Sequence, residues 1–144
     1  MGMTSLASHT INVANNSRGR ITNLELQKVL YFIIGDYISN HGIDEFIKSV
    51  YDEKMEAWQY GPVLRSEYFK NSIYGSTKIR RKSEYNDEYN VFDEYINQRI
   101  NENLGDLIDD SHKHRKWREN KEDILNQNKR IFYDLEDFEY EFSA

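Results

Sequence analysis

The clearest hydrophobic pattern in the chain predicts an amphipathic helix over Ile21 to Ile38. Apolar residues recur there at intervals of three and four positions, which places them on one wide face of a helix. They are Leu26, Val29, Leu30, Ile33, Ile34 and Tyr37. Thr22 and Glu25 have the spacing of a capping box, in which each side chain accepts a hydrogen bond from the other residue's backbone N–H. We therefore expect a helix that begins after Thr22 and ends near Gly42.

Three further segments show helical spacing. They are Ile43 to Tyr51, Val63 to Tyr74 and Asp87 to Leu104. Glycine commonly follows the last turn of a helix, so Gly75 and Gly105 are expected to end the second and the third.

The last third of the chain predicts two more helices. Asp106 can cap a helix that contains Leu107 and Ile108, and Asn126 can cap the final one. The apolar residues of the final helix would be Ile131, Phe132, Leu135 and Phe138. Leu135 and Phe138 are expected to complete its core face rather than to form an exposed binding tail.

A sharp bend is predicted at Gly61 and Pro62, where the chain uses its only proline. Proline fixes its own φ and restricts the residue before it, while glycine tolerates unusual backbone angles. Short strands are expected at Asp52 to Tyr60 and at Thr77 to Ser83, and these two would pair. The predicted fold is mainly α: a single compact helical domain with at most one small β-hairpin.

The first twenty residues are polar and differ from the rest of the chain. Ile11, Val13 and Ala14 could dock a short helix, but we expect residues 1–20 to be partly disordered. The domain proper is therefore predicted to cover residues 21–144.

Composition and charge limit the possible functions. The chain has 144 residues, a formal charge of −6 and no cysteine, which excludes disulfides and thiolate metal sites. The negative charge weighs against nucleic-acid binding, since such binders present a dense basic surface, and the basic run at 78–82 is short. Neither a signal peptide nor a membrane-spanning run is apparent, so a cytoplasmic location is expected.

No residue pattern predicts catalysis, a metal ion or a cofactor. His112 and His114 are two positions apart, cannot share one face of a helix, and are surrounded by cations. We therefore expect them to pack or to face solvent. The chain has no glycine-rich phosphate loop, no G-x-S-x-G turn and no H-E-x-x-H helix.

Two linked motifs resemble the Panacea domain, also described as the SocA-like or DUF4065 antitoxin family. The first is ITNLELQKVLYFIIGDYI over Ile21 to Ile38, and the second is EAWQYGPVLRSEYFK over Glu56 to Lys70. The family pattern usually has leucine where this chain has Val29. It also usually has proline before the late tryptophan, where this chain has Lys116.

The resemblance implies a protein-binding module without catalysis. Members of that family act as antitoxins that neutralise unrelated toxins by direct contact, and some are phage-encoded. SocA-like members of that family can also act as adaptors that deliver a toxin to the ClpXP protease. The resemblance thus implies a toxin or host factor as partner. The alternatives are a phage or mobile-element inhibitor of a host or defence enzyme, and the proteolytic adaptor.

The candidate partner-binding residues lie in the two motifs. They are Lys28, Tyr31, Trp58, Tyr60, Gly61, Pro62 and Arg65. Tryptophan, tyrosine and arginine most often dominate binding energy in interfaces. Trp58 and Tyr60 could instead lock the bend into the core, and this alternative stays open at the level of sequence.

Overall fold

The computed structural model describes residues 2–143 and has helix α2 (Asn23–His41) at its centre. The predicted capping box is present: Thr22 Oγ1 accepts from the Glu25 N–H at 3.1 Å, and the Glu25 carboxylate accepts from the Thr22 N–H at 2.9 Å. The Gly42 N–H bonds the Ile38 carbonyl and ends the helix as predicted. Because α2 is buried on nearly all sides, it forms the centre of the core.

Helix α1 (Met3–Ser17) occupies the segment for which we expected partial disorder. Leu6 and Ile11 are fully buried in the common core. Burial of this apolar face offsets the conformational entropy that the segment loses when it becomes ordered. His9 is also buried, and its Nε2 lies 2.7 Å from Asp93 Oδ1. Residues 3–17 therefore belong to the same core as the predicted domain. Met1 lies outside the described residues.

The remaining helices are short. They are α3 (Glu45–Val50), α4 (Arg65–Lys70), α5 (Asp93–Ile100), α6 (Leu104–Lys113), α7 (Arg115–Glu119), α8 (Lys121–Asn126) and α9 (Leu135–Phe142). A 3-10 turn at Ser72–Tyr74 follows α4, and another at Asp87–Phe92 leads into α5. The helices predicted at 43–51, 63–74 and 87–104 are thus present with shorter or interrupted bounds.

Strands β1 (Glu56–Trp58) and β2 (Gly61–Val63) form an antiparallel hairpin around the predicted bend. The predicted pairing of β1 with residues 77–83 is wrong, because β2 takes that place. Lys78 instead forms an isolated bridge with Thr22 at the start of α2. The other edge of β1 bonds segment 131–133, where the Ala57 N–H reaches the Ile131 carbonyl at 2.8 Å.

Three predicted helix boundaries in the last third are wrong. Gly105 does not end a helix but lies in the first turn of α6, which is capped by the Asn103 side chain rather than by Asp106. The last helix begins after Asp134, which forms a capping box with Asp137. Asn126 instead ends α8, so the 131–133 segment is free to extend along β1.

An aromatic cluster joins α9 to α2, and we call it the sealed cluster. It consists of Tyr31, Phe32, Tyr133, Phe138 and Phe142, with ring centroids between 5.1 and 5.6 Å from that of Tyr31. Phe138 is fully buried, which confirms its predicted place in the core, while Leu135 is partly buried beside it.

The fold is mainly α with one small β-hairpin, as predicted. Among residues 2–143, no helix combines the length and the apolar character that crossing a membrane requires.

Candidate functional site: an aromatic and basic groove

A groove with a volume of about 890 Å³ opens between the hairpin, α4 and α8. Its hairpin side carries Trp58 and Tyr60, and its α4 side carries Arg65 and Tyr68. The opposite side consists of the end of α8 and of segment 127–130. The groove therefore combines residues that are more than one hundred positions apart in the sequence, from Asn23 on α2 to Arg130.

Three aromatic rings beside and within the groove form a second cluster, which we call the open cluster. Its members are Trp58, Tyr68 and Phe69, with ring centroids 4.8, 5.6 and 6.1 Å apart. Phe69 is half exposed, and Trp58 and Tyr68 are partly buried. Tyr60, at the hairpin turn, is 57% exposed. Exposed rings of this kind provide large contact areas for a partner at a low entropic cost.

Cations outnumber carboxylates along the groove. The charged side chains that line it are Arg65, Lys129, Arg130 and Glu56. The Glu56 carboxylate is mostly buried and lies 2.8 Å from Arg130 Nη2 and 3.9 Å from Arg65 Nη1. Arg65 also lies over Phe69, with its Cζ 5.1 Å from the ring centroid. Two arginines thus share the single carboxylate of Glu56, and the side chains that line the groove keep a net positive charge.

Helix α2 supports the hairpin from beneath through Lys28. The Lys28 ammonium is fully buried and donates to the Pro62 carbonyl of β2 at 2.7 Å. Burial lowers the pKa of Lys28 to about 7, because the charged form has lost its water. The hydrogen bond fixes β2 against α2, since a buried carbonyl without a donor is costly.

A chain of side-chain amides makes the next contact along α2. Gln27 Oε1 accepts from the Leu64 N–H at 2.7 Å, and Gln27 Nε2 donates to Asn23 Oδ1 at 3.0 Å. Asn23 Nδ2 in turn donates to the Tyr68 carbonyl at 3.0 Å. These bonds set the position of α4 relative to the hairpin, and therefore the distance between two sides of the groove.

Helices α6 and α7 hold the other end of the hairpin. Trp117 Nε1 donates to the Trp58 carbonyl at 2.9 Å. The His112 ring stacks on Trp117 with centroids 3.8 Å apart. Burial lowers the pKa of His112, and a hydrogen bond to the Gln59 backbone opposes this effect. The hairpin backbone is thus bonded to the core on its inner side, while Tyr60 remains exposed.

Gly61 is required where the hairpin meets α6. Its φ is +102°, a conformation that other residues rarely adopt. A Cβ at this position would lie 2.5 Å from Ser111 Oγ and 3.3 Å from Lys28 Cε. Both the backbone angle and the close packing therefore favour glycine here.

The structure separates the predicted binding residues into two groups. Trp58, Tyr60 and Arg65 line the groove. Lys28 and Tyr31 are fully buried, and Gly61 and Pro62 are buried as well. The buried residues can influence binding only by fixing the hairpin and the core, because a partner cannot reach their side chains in this conformation.

The far side of the groove was not anticipated from the sequence. Leu125, Lys129 and Arg130 reach it because Gln127, with φ 56°, turns the chain sharply after α8. The sequence pattern predicts a helix there, capped by Asn126. A left-handed glutamine has no clear sequence signature, so the pattern could not have predicted this turn.

His112 and His114, which were expected either to pack or to face solvent, are both partly buried and pack against other rings. The His114 Nδ1 lies 2.6 Å from the Tyr31 hydroxyl, and burial lowers the pKa of His114 to about 4. His114 is therefore neutral near pH 7, and its contact with Glu141 Oε2 at 3.7 Å is not an ion pair at that pH. Among residues 2–143, no three His, Asp or Glu side chains converge closely enough to hold a metal ion.

Comparisons of the chain with protein-family models, with curated proteins and with solved structures found no match.

Proposed function

We propose that this protein is a non-catalytic binding module of the antitoxin type, which neutralises a partner protein by direct contact at the groove. The observation that carries this proposal is the open cluster. With Arg65 packed over it, this cluster presents aromatic and arginine side chains on the hairpin and on α4, and both elements are hydrogen-bonded to the core. Residue types of this kind dominate binding energy at protein interfaces.

A fixed hairpin supports binding through its effect on entropy. Four hydrogen bonds hold the inner side of the hairpin and α4. They are made by the side chains of Asn23, Gln27, Lys28 and Trp117. Association then orders fewer groups, and more of the contact energy appears as affinity.

The antitoxin class itself rests on the resemblance of the two motifs. In the structure, the first motif supplies the supporting residues Asn23, Gln27 and Lys28, and the second supplies the hairpin and α4. The two motifs therefore act as one unit, with the second presented by the first. This arrangement is compatible with a common scaffold that meets different partners.

The test is affinity purification of the tagged protein from its native host, with wild type compared to two tyrosine variants. Tyr60→Ala removes a groove side chain that is 57% exposed, and Tyr140→Ala removes one on α9 that is 55% exposed. We expect Tyr60→Ala to reduce retention of one stoichiometric partner by about tenfold or more, as loss of an interface tyrosine can. Tyr140→Ala should retain it, and the partner should arrest growth when it is expressed alone.

Other outcomes would change the proposal in distinct ways. A retained host or defence enzyme that the protein inhibits would replace the antitoxin class with an enzyme inhibitor. Loss of the partner at both tyrosines, or at neither, would show that the groove is not the contact surface. If no protein is retained by wild type under any growth condition, the binding function itself is contradicted.

A further inference from the structure

Resting on the proposed function, we propose that the groove takes an acidic peptide segment of the partner, with aromatic residues between its carboxylates. The chain as a whole carries a formal charge of −6, yet the groove is lined by Arg65, Lys129 and Arg130 against the single carboxylate of Glu56. A positive groove on an acidic protein is a local feature that selects for a negative ligand.

The cations of the groove are available to a ligand. Arg65, Lys129 and Arg130 each have about half or more of the side chain exposed. Glu56 is already bonded by Arg130 through both Nε and Nη2, at 3.2 and 2.8 Å. Lys129 has only a loose contact with Asp123, at 3.7 Å. Exposed pairs of that kind are weak, so an incoming carboxylate can compete for Arg65 and Lys129.

The rings beside Arg65 explain the aromatic part of the ligand. Arg65 packs over the open cluster, with its Cζ 6.0 Å from the Trp58 centroid and 5.1 Å from that of Phe69. A guanidinium in this position keeps its edge N–H groups free for a carboxylate while its face covers the rings. An aromatic side chain next to an acidic one would then meet Tyr60 or Leu125, both half exposed at the groove.

Net charge favours a peptide over a nucleic acid. A single strand of nucleic acid carries a phosphate at every nucleotide, and neutralising it requires a row of cations. The groove offers three, and the rest of the protein is acidic and would repel the continuing strand. A peptide can place two or three carboxylates in the groove and leave it without further charge.

The probe is a short fluorescein-labelled peptide of alternating Glu and Phe, and binding is measured by fluorescence anisotropy. A peptide with Gln in place of Glu and a labelled oligo(dT) are the comparison ligands. The protein variants are Arg65→Gln, Lys129→Gln and the control Lys48→Gln. Lys48 matches Lys129, since its side chain is 54% exposed against 63% and it also forms one weak ion pair.

The proposal predicts a specific set of results. The Glu peptide binds, the Gln peptide binds at least about fivefold more weakly, and raised salt reduces the difference because exposed charges are screened. Arg65→Gln and Lys129→Gln each weaken Glu-peptide binding by roughly two- to fivefold, and Lys48→Gln changes nothing. The double variant that combines Arg65→Gln with Lys129→Gln also loses the partner that wild type retains.

Three results would overturn it. The first is equal binding of the Glu and Gln peptides, and the second is no binding of the Glu peptide. The third is tighter, groove-dependent binding of oligo(dT), which would assign the groove to nucleic acid. If the first or the second result is found and a stoichiometric partner is still retained through Tyr60, the proposed binding function stands and only the acidic ligand is rejected.

Discussion

The sealed cluster and the open cluster are both built from aromatic residues but differ in how deeply they are buried. In the sealed cluster, the rings of Tyr31, Tyr133 and Phe138 are fully buried, because α9 packs against α2. In the open cluster, Phe69 stays half exposed next to the groove. Ring contacts of similar distance therefore occur once as core and once as surface.

The polar groups around the two clusters differ in the same way. Around the sealed cluster, the hydroxyl of Tyr31 bonds His114, and the hydroxyl of Tyr51 donates to the Tyr133 carbonyl at 2.7 Å. Around the open cluster, the polar groups are arginines and a lysine that reach solvent. We infer that the first arrangement stabilises the fold. The second is available to a ligand, because Arg65 and Lys129 stay exposed and make only loose ion pairs within the protein.

The largest expected effect is on the sealed cluster. Phe138→Ala removes a fully buried ring that joins α9 to α2 and contacts Tyr31, Tyr51 and Tyr133. We expect a loss of about 3–5 kcal/mol in the free energy of unfolding, as for other buried phenylalanines. Urea denaturation followed by circular dichroism measures it. A loss below about 1 kcal/mol would mean that α9 is detached in solution.

The sequence predicted the parts of the fold whose pattern is local. The face of α2, its capping box and the bend at Gly61 each depend on residues within a few positions of one another, and all three are present. The apolar face of α1 was visible only in part, since its buried His9 and Thr10 are polar. Their burial depends on partners far along the chain, such as Asp93, which a local pattern cannot reveal.

The support beneath the open cluster is expected to depend on pH. The pKa of Lys28 is lowered from 10.5 to about 7 by burial, so between those values the unfolded chain binds more protons than the folded one. The free energy of unfolding contributed by Lys28 therefore rises with pH over that range, and below about pH 7 the full cost of the buried charge remains.

A comparison of wild type with Lys28→Met isolates this contribution. Methionine also leaves the Pro62 carbonyl without its donor, but that loss does not vary with pH. From about pH 7 to about pH 9, wild type should gain about 2 kcal/mol relative to the variant. Urea denaturation at several pH values measures the difference, and a difference that stays flat would show that Lys28 reaches water.

The candidate site was predicted only where it coincides with the second motif. Trp58 and Tyr60 lie on the hairpin and Arg65 begins α4, so one short stretch of sequence brings all three to the groove. Lys28 was predicted to bind a partner, but it is fully buried under β2, and that burial depends on tertiary packing. Lys129 and Arg130 join the groove through the turn at 127, which no residue pattern marks.

Gly35 tests how closely the sealed cluster is packed. It lies within α2, and a Cβ there would be 2.3 Å from ring atoms of Phe142. Gly35→Ala should therefore displace that ring and destabilise the protein by about 1–2 kcal/mol, after a gain of up to about 1 kcal/mol in helix propensity.

A double-mutant cycle provides the control for Gly35. In a Phe142→Ala background the clash is absent, so Gly35→Ala should be neutral or slightly stabilising. The readout is again the free energy of unfolding from urea denaturation. An equal cost in both backgrounds would mean that Phe142 does not pack on α2 in solution.

The smallest expected effect is on the open cluster, and it uses the same substitution as the largest. Phe69→Ala deletes the same ring as Phe138→Ala, but from a side chain that is half exposed and packs on Trp58, Tyr68 and Arg65. We expect a change of at most about 0.5 kcal/mol in the free energy of unfolding, typical of exposed positions. Urea denaturation of both variants under one set of conditions measures the contrast. A loss of about 2 kcal/mol or more from Phe69→Ala would make the open cluster a second core, and its exposure could then no longer support a binding role.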